Sequence, residues 1–326
     1  MKLQTKIPIT ATPNQIDYNS QLLLLGSCFS ENIGRKLEYF KFRTLQNPFG
    51  ILFHPQAIEN LIERAIRKKQ YTSTDVFYFN ERWQCFDAHS DLSDTSEEDL
   101  IKKLNDSLKA TLHQIIQSSH IIITLGTAWA YRHLASGKIV ANCHKVPQKD
   151  FSKELLSIDE IVTGLQAVIE HVQSVNKESQ IIFTISPVRH LKDGFVENQR
   201  SKAHLITAVH EVIEKSVTLS AVEGYFPSYE LQMDELRDYR FYEQDMVHPN
   251  KLAIDYIWEK FKKVWISEES HKTIIEVDTI QKGLRHRPFH RDTAQHQRFM
   301  KSLETKIINL QQQYHFMEFD NGSFRS

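Results

Sequence analysis

The chain has 326 residues, 40% of them hydrophobic and 25% charged, which is enough apolar material for a packed core and excludes disordered and collagen-like classes. Forty basic against 41 acidic residues leave a formal charge of -1, so no global field draws the chain to nucleic acid or to an anionic membrane. Apolar runs such as 22–25 and 121–123 fall far short of the ~20 residues of a membrane-spanning helix, and the first residues lack the apolar core of a signal peptide, so a cytoplasmic protein with no membrane partner is expected.

In chain order, Gln21–Gly26 reads as a strand buried on both faces and stopped by glycine. Ile33, Leu37 and Phe40 then suggest a helix, and Ile58, Leu61, Ile62 and Ala65 a second. Residues 75–87 are rich in aromatic and β-branched side chains and read as a strand-like excursion. A helical stripe runs through Ile101, Leu104, Leu108, Leu112 and Ile115 into a second apolar strand, His120–Leu125. Residues 129–143 read as a hairpin turning at Ala135-Ser136-Gly137-Lys138. A third strand follows at Gln180–Ile185, a helix through Leu205, Ile206, Val209 and Ile213, and a fourth strand at 221–226. After Asn250 a helix carrying Ile257, Phe261, Val264 and Trp265 closes the domain. Buried strands alternating with amphipathic helices predict an α/β fold: a doubly wound, mainly parallel sheet with helices on both faces. It spans 20–265; residues 266–326 form a helical C-terminal extension with Leu303, Ile307, Ile308 and Leu310 as its apolar stripe.

In such a sheet ligands bind at the carboxyl ends of the strands, and the unusual residues gather there. The first strand runs into Gly26-Ser27-Cys28-Phe29-Ser30, the second into Gly126-Thr127-Ala128-Trp129, the third into Ser186-Pro187-Val188-Arg189-His190, and the last is followed by Asp245-Met246-Val247-His248-Pro249. A thiol on a strand-to-helix turn feels the positive end of the helix dipole, which favours a thiolate nucleophile; a buried cysteine beside a Ser27 cap is the alternative. With Cys85 and Cys143 it makes three cysteines without Cys-x-x-Cys spacing, which suits neither a disulfide framework nor a zinc site, and no metal or cofactor is expected. Asp245 and His248 have the spacing of a carboxylate that orients an imidazole, or of a loop ion pair; a nucleophile already at the first strand favours the first reading.

Gly26-Ser27-Cys28-Phe29-Ser30 resembles the motif that names the bacterial GSCFA-domain family, and the order of the blocks over about residues 20–265 resembles the related SGNH (GDSL-type) hydrolases. The resemblance implies an SGNH- or flavodoxin-like sheet and an acyl-ester hydrolase or acyltransferase working through an acyl-enzyme. It puts the nucleophile on Cys28, with Ser27 as the rival, the orienting role on Asp245 and the general base on His248. Gly50, in Asn47-Pro48-Phe49-Gly50, matches the second-block glycine of an oxyanion hole, and Gly126 the third-block glycine. Ala128 stands where that block carries asparagine, so Thr127 or Asn142 is expected to supply the missing donor.

Asn47, Arg132, His144, Lys145, Arg189 and His190 fall on segments expected near the same rim, where cations would suit an anionic acyl donor; a solvated surface role is the alternative. Tyr225 to Tyr229 and Tyr239 to Tyr242 either wall an acyl pocket or pack the loop of the Asp-His pair. Residues 282–298, with Arg285, His286, Arg287, His290, Arg291 and His296, make a basic segment expected to dock on the acidic flank of the main domain or to lid the site rather than to touch nucleic acid. The small-molecule acyl-transfer reading leads. Its rival is a catalytically weak binding protein for an anionic ligand or nucleic acid.

Overall fold

Six-residue apolar runs have no polar face to give to water, so they pair in the middle of a sheet. In the computed structural model, which describes residues 4–216, 222–286 and 293–319, this produces β1 (Gln21–Gly26), α1 (Cys28–Tyr39), β2 (Arg43–Gln46), α2 (Pro55–Ile66), β3 (Phe77–Phe79), β4 (Arg82–Gln84), α3 (Glu97–Gln117) and β5 (His120–Leu125). The chain continues through β6 (Trp129–His133), β7 (Ile139–Val140), β8 (Phe151–Leu155), α4 (Ile158–Val175), β9 (Gln180–Ile185), α5 (Phe195–Ser216) and β10 (Val222–Phe226). A short turn α6 (Ser228–Glu230), then α7 (Lys251–Trp265), α8 (Glu268–Arg285) and α9 (Ala294–Gln313) complete it.

The central sheet has the order β2-β1-β5-β9-β10 with every pairing parallel. Counted within the sheet this is the doubly wound order 2-1-3-4-5, whose winding reverses between β1 and β5. Alternation splits each strand between two cores. Leu23, Leu25, Ile121, Ile123 and Phe183 pack with Leu61, Leu104, Leu165 and Leu205 of α2 to α5. Leu22, Leu24, Ile122 and Ile182 pack on the opposite face with Phe29 and Leu37 of α1 and Ile257 and Phe261 of α7. Each fully buried leucine is worth ~2 kcal/mol of transfer free energy, so a one-residue slip of β1 would forfeit both faces at once.

The doubly wound α/β class therefore holds, with helices on both faces. Among the elements beyond the expected set are the edge strand β2, strand β8, and α4, whose first turn is fixed by a Ser157–Glu160 capping box. The excursions at 75–87 and 129–143 are the β3–β4 hairpin and the first two strands of a small β7-β6-β8 sheet. Residue 221 of the fourth expected strand lies outside the described residues. The extension is helical, and Ile274, Val277, Leu303, Ile307 and Leu310 join the same core as α1 and α7; Ile308, expected in that stripe, is exposed. Among the described residues no helix is long and apolar enough to cross a membrane.

Candidate active site

The carboxyl ends of β1 and β5 are knitted together by backbone. At Gly26, φ is +132° and a Cβ would lie 2.1 Å from the Thr124 carbonyl oxygen, so glycine is needed both for the turn and for the close approach. Ser27 N–H donates to the same carbonyl at 3.0 Å. Ser27 is the N-cap of α1 and fully buried, and Cys28 is the first helical residue and half-buried. The second block is folded onto this turn: Asn47 Oδ1 accepts Gly26 N–H at 2.9 Å, and Leu52 N–H donates to Gly26 O at 3.0 Å.

The loop that precedes α7 is joined to the end of β9. Asp245 Oδ1 accepts the backbone N–H groups of Val247 and His248 at 2.8 and 3.0 Å, and Oδ2 lies 2.6 Å from His248 Nδ1. Those hydrogen bonds, the backbone and side chain of His248 first, hold the Asp245 carboxyl down at about 2, so it is an anion at neutral pH. Both side chains are about half exposed, 49% and 47%, which leaves His248 Nε2 accessible. Arg189 ties this loop to the end of β9: its N–H donates to Val247 O at 3.2 Å and its guanidinium to Met246 O.

Among the described residues, several buried polar atoms of the turn, the second block and the end of β9 have no hydrogen-bond partner: Ser27 Oγ, Ser30 Oγ, Asn47 Nδ2 and His190 Nε2. A Cβ on Gly126 would stand 3.1 Å from Ser27 Cβ and 3.2 Å from His190 Nε2. Gly126 thus supplies the gap in which Ser27 and His190 converge. Burial, reinforced by the charges of Lys202 and His248, holds His190 down at about 3, so its ring is neutral at ordinary pH. The Cys28 thiol is pushed up, by burial first and Glu31 second, against the opposing pull of Lys202 and of the N–H groups of Cys28 and Phe29. The helix end expected to make a thiolate is present, but desolvation outweighs it.

The expected oxyanion donors are largely spent. Gly126 and Thr127 N–H both donate to Phe53 O, at 2.8 and 3.0 Å, and Gly50 N–H closes a turn onto Asn47 O at 2.7 Å. Thr127 Oγ1 pairs with Ser201 Oγ at 3.0 Å; Asn142 Oδ1 accepts His144 N–H at 2.8 Å, a contact that does not use its amide donor. The unpartnered Nδ2 of Asn47 is the donor left over from the second block.

The rim residues divide. His190 stands in the site and Arg189 braces the Asp245–His248 loop. Arg132 lies on β6 with its guanidinium forked onto Glu154 at 2.8 and 2.9 Å. His144 is buried, with Nε2 2.6 Å from Cys85 O and its ring against Phe77 and Phe86; Lys145 is exposed. Of the aromatics, Tyr239 and Tyr242 line a cavity of about 190 Å³ with Arg189, Gln232, Met233 and Leu236, and Arg189 stacks on Tyr242 at 4.5 Å. Arg287, His290 and Arg291 of the basic segment lie outside the described residues.

Sequence reasoning missed three polar residues of α5. Asn198 Oδ1 accepts His190 N–H at 2.8 Å, Ser201 Oγ accepts Ala128 N–H at 2.7 Å, and Lys202 Nζ donates to Gly126 O and Ser186 O, both at 2.7 Å. All three are buried. Their i, i+3, i+4 spacing continues the apolar stripe of Leu205 and Val209 toward the helix start, which was the available signal: polar residues on a buried face.

A family model described as the GSCFA family matches residues 21–261, and one described as the GSCFA domain protein, C-terminal domain, matches residues 277–322. No curated protein matches the chain. Among solved structures, a carbohydrate esterase family 3 from Talaromyces cellulolyticus is similar at 9% identity and a TM-score of 0.36, covering 80% of this chain and 99% of its own.

Proposed function

The chain belongs to the GSCFA family, and from that premise we propose that it is an acyl-ester hydrolase or acyltransferase working through an acyl-enzyme on Cys28. The observation that carries this reading is the Asp245–His248 pair, fixed at 2.6 Å on a loop at the same end of the sheet as the Ser27-Cys28 turn. His190 feels the charge of His248 and of Lys202, and Cys28 feels that of Lys202, so these groups form one electrostatic cluster.

A thiol raised by burial is neutral at rest and needs a base. His248 Nε2 takes the Sγ proton as sulfur attacks the acyl carbon, and Asp245 stabilises the imidazolium through Nδ1–H. The negative acyl oxygen is received by Cys28 and Phe29 N–H at the start of α1 and by Asn47 Nδ2. Collapse expels the alcohol, which takes the proton from Nε2 and leaves a thioester. Water, or an acceptor hydroxyl or amine, then gives its proton to His248 and attacks the thioester, and the departing Cys28 sulfur takes that proton back. Full burial of Ser27 favours Cys28 as the nucleophile. The consumption of Gly50, Gly126 and Thr127 N–H favours the second reading, a weakly catalytic binding protein.

The test is intact-mass spectrometry after brief exposure to an activated acetyl ester, with peptide mapping and His248→Ala as control. An acetyl group on Cys28 that requires His248 is the expected result. A mark on Ser27 would move the nucleophile, and no adduct together with no turnover on a panel of esters would leave the binding reading.

A further inference from the structure

We propose that the cavity of about 190 Å³ beside the His248 loop is a binding subsite for a compact, uncharged group with an apolar body and one O–H or N–H donor, and that Gln232 is the residue that recognises the donor. As a substrate subsite it rests on the acyl-transfer reading; as a cavity that binds such a group it does not. Its walls include Arg189, Gln232, Met233, Leu236, Tyr239 and Tyr242. Tyr242 is bridged to Pro249, Glu243 N–H donates to His248 O at 2.8 Å, and the Arg189 guanidinium donates to Met246 O. The cavity wall and the loop that carries His248 are therefore one hydrogen-bonded unit.

The wall has two features that packing alone does not require. Leu231–Glu235 is a π-helix, closed by Leu236 N–H onto Leu231 O at 3.0 Å, a rare geometry that occurs mostly as single turns and often at functional sites. Within it Gln232 is fully buried, and among the described residues its Oε1 has no hydrogen-bond partner. Its Nε2 reaches Phe241 O at 3.5 Å, which orients the amide and leaves the oxygen over. A buried amide oxygen without a donor is costly, and a leucine or methionine would fill the same space without that cost. The missing partner is a donor that arrives with a ligand. Around it the cavity is apolar: Met233, Leu236 and two tyrosine rings, with Tyr242 OH turned onto Met233 Sδ at 3.4 Å. A mostly apolar lining with one placed polar group is the composition of a small-molecule site. The charges at its edge are matched, since Arg189 stacks on Tyr242 at 4.5 Å, Asp238 pairs with Arg240 at 3.0 Å and Arg237 with Asp234 at 3.7 Å, so an uncharged group fits best. At the ~30 Å³ that a water takes in the liquid, the volume holds about six non-hydrogen atoms.

The experiment is methionine-methyl NMR. The chain has five methionines, of which Met233 lines the cavity, and its signal is assigned with Met233→Leu. Wild type is titrated with butanamide and with pentanol, which bring an N–H and an O–H donor, and with methyl propyl ketone, which has the shape of butanamide with a methyl group in place of the amide nitrogen. The expected result is a saturable shift of the Met233 signal with a donor ligand, affinity for the ketone lower by about tenfold or more, and loss of that preference in Gln232→Leu. Binding of only one of the two donors identifies the recognised group as amide or hydroxyl. Equal affinity of wild type for butanamide, pentanol and the ketone, or a Met233 signal that none of them moves, overturns the proposal, and neither result depends on the folding of Gln232→Leu. A donor preference that survives in a Gln232→Leu protein with native circular dichroism overturns the role of Gln232. No titration needs turnover, so failure of acyl trapping on Cys28 and failure of binding here are separate outcomes.

Discussion

Asp245 Oδ2 lies 2.6 Å from His248 Nδ1 while Oδ1 of the same carboxylate accepts two backbone N–H groups of the loop, so one side chain sets both the loop conformation and the imidazole orientation. Asp245→Asn keeps the size and removes the charge. Turnover of an activated ester is expected to fall by about 10²- to 10⁴-fold, with a melting temperature close to wild type because the pair is half exposed and worth ~1 kcal/mol or less. Turnover within twofold of wild type would remove the orienting role.

The two glycines at the strand ends separate stability from function. Gly26→Ala places a Cβ 2.1 Å from the Thr124 carbonyl oxygen at φ +132°, a backbone collision that no side-chain rotation relieves. A loss of ~3 kcal/mol or more in urea unfolding is expected. In Gly126→Ala the nearest atoms, Phe53 O, Ser27 Cβ and His190 Nε2, stand at 3.1 to 3.2 Å, which a small shift accommodates. That variant is expected to lose about 1 kcal/mol and yet at least tenfold in acylation rate, since Ser27 and His190 must move apart. Equal damage to stability from both substitutions would contradict this account.

One contribution to the pH dependence of stability comes from His54. Its Nδ1 accepts Ala57 N–H at 3.2 Å as the cap of α2, and its Nε2 meets Val140 O at 3.0 Å, an arrangement that a neutral ring satisfies. Burial depresses it from the usual 6.5 to about 4, so between these values the unfolded chain binds the proton and the folded one does not. The stability this contributes is complete above pH 6.5 and is lost as pH falls toward 4, by about 3 kcal/mol. Urea midpoints of wild type and His54→Asn at stepped pH test it: the wild-type slope in that window should be steeper, and equal slopes would refute the assignment.

How far the sequence carries depends on which force fixes each feature. β1, β5 and β9 are apolar throughout because both faces are buried, so they are legible as runs; β2, Arg-Thr-Leu-Gln at the sheet edge, has no such run and is found through its pairing with β1. The positions of Ser27-Cys28 and Gly126 follow from parallel topology, which gathers strand ends, whereas the Asp245–His248 loop lies well beyond β10 and is tied to the end of β9 through Arg189. Lys202, Ser201 and Asn198 lie near the start of α5, the helix that follows β9, and their side-chain hydrogen bonds bring them to the ends of β5 and β9. The same holds for the donors: a glycine in a motif predicts a free N–H, but Phe53 O, from the loop before α2, occupies it. Desolvation of Cys28 is likewise a property of what surrounds the helix end rather than of the end itself.

Arg189 distinguishes a brace from a binding group. Its guanidinium donates to Met246 O, stacks on Tyr242 at 4.5 Å and lies 5.7 Å from Tyr239, and its Nε is buried without a partner. A side chain so engaged holds the Asp245–His248 loop by geometry, and loosening that loop misplaces the base by fractions of an ångström, enough for ~10-fold in rate. Arg189→Gln is therefore expected to lower kcat about tenfold for neutral and anionic esters alike, with KM near wild type. Arg189→Lys should not restore it, because an ammonium has neither the planar fork nor the flat face that stacks on Tyr242. If instead KM rises for anionic esters alone and kcat is untouched, the guanidinium belongs to substrate recognition, and the loop is held by the Arg189 N–H to Val247 O bond and the Asp245 turn without it.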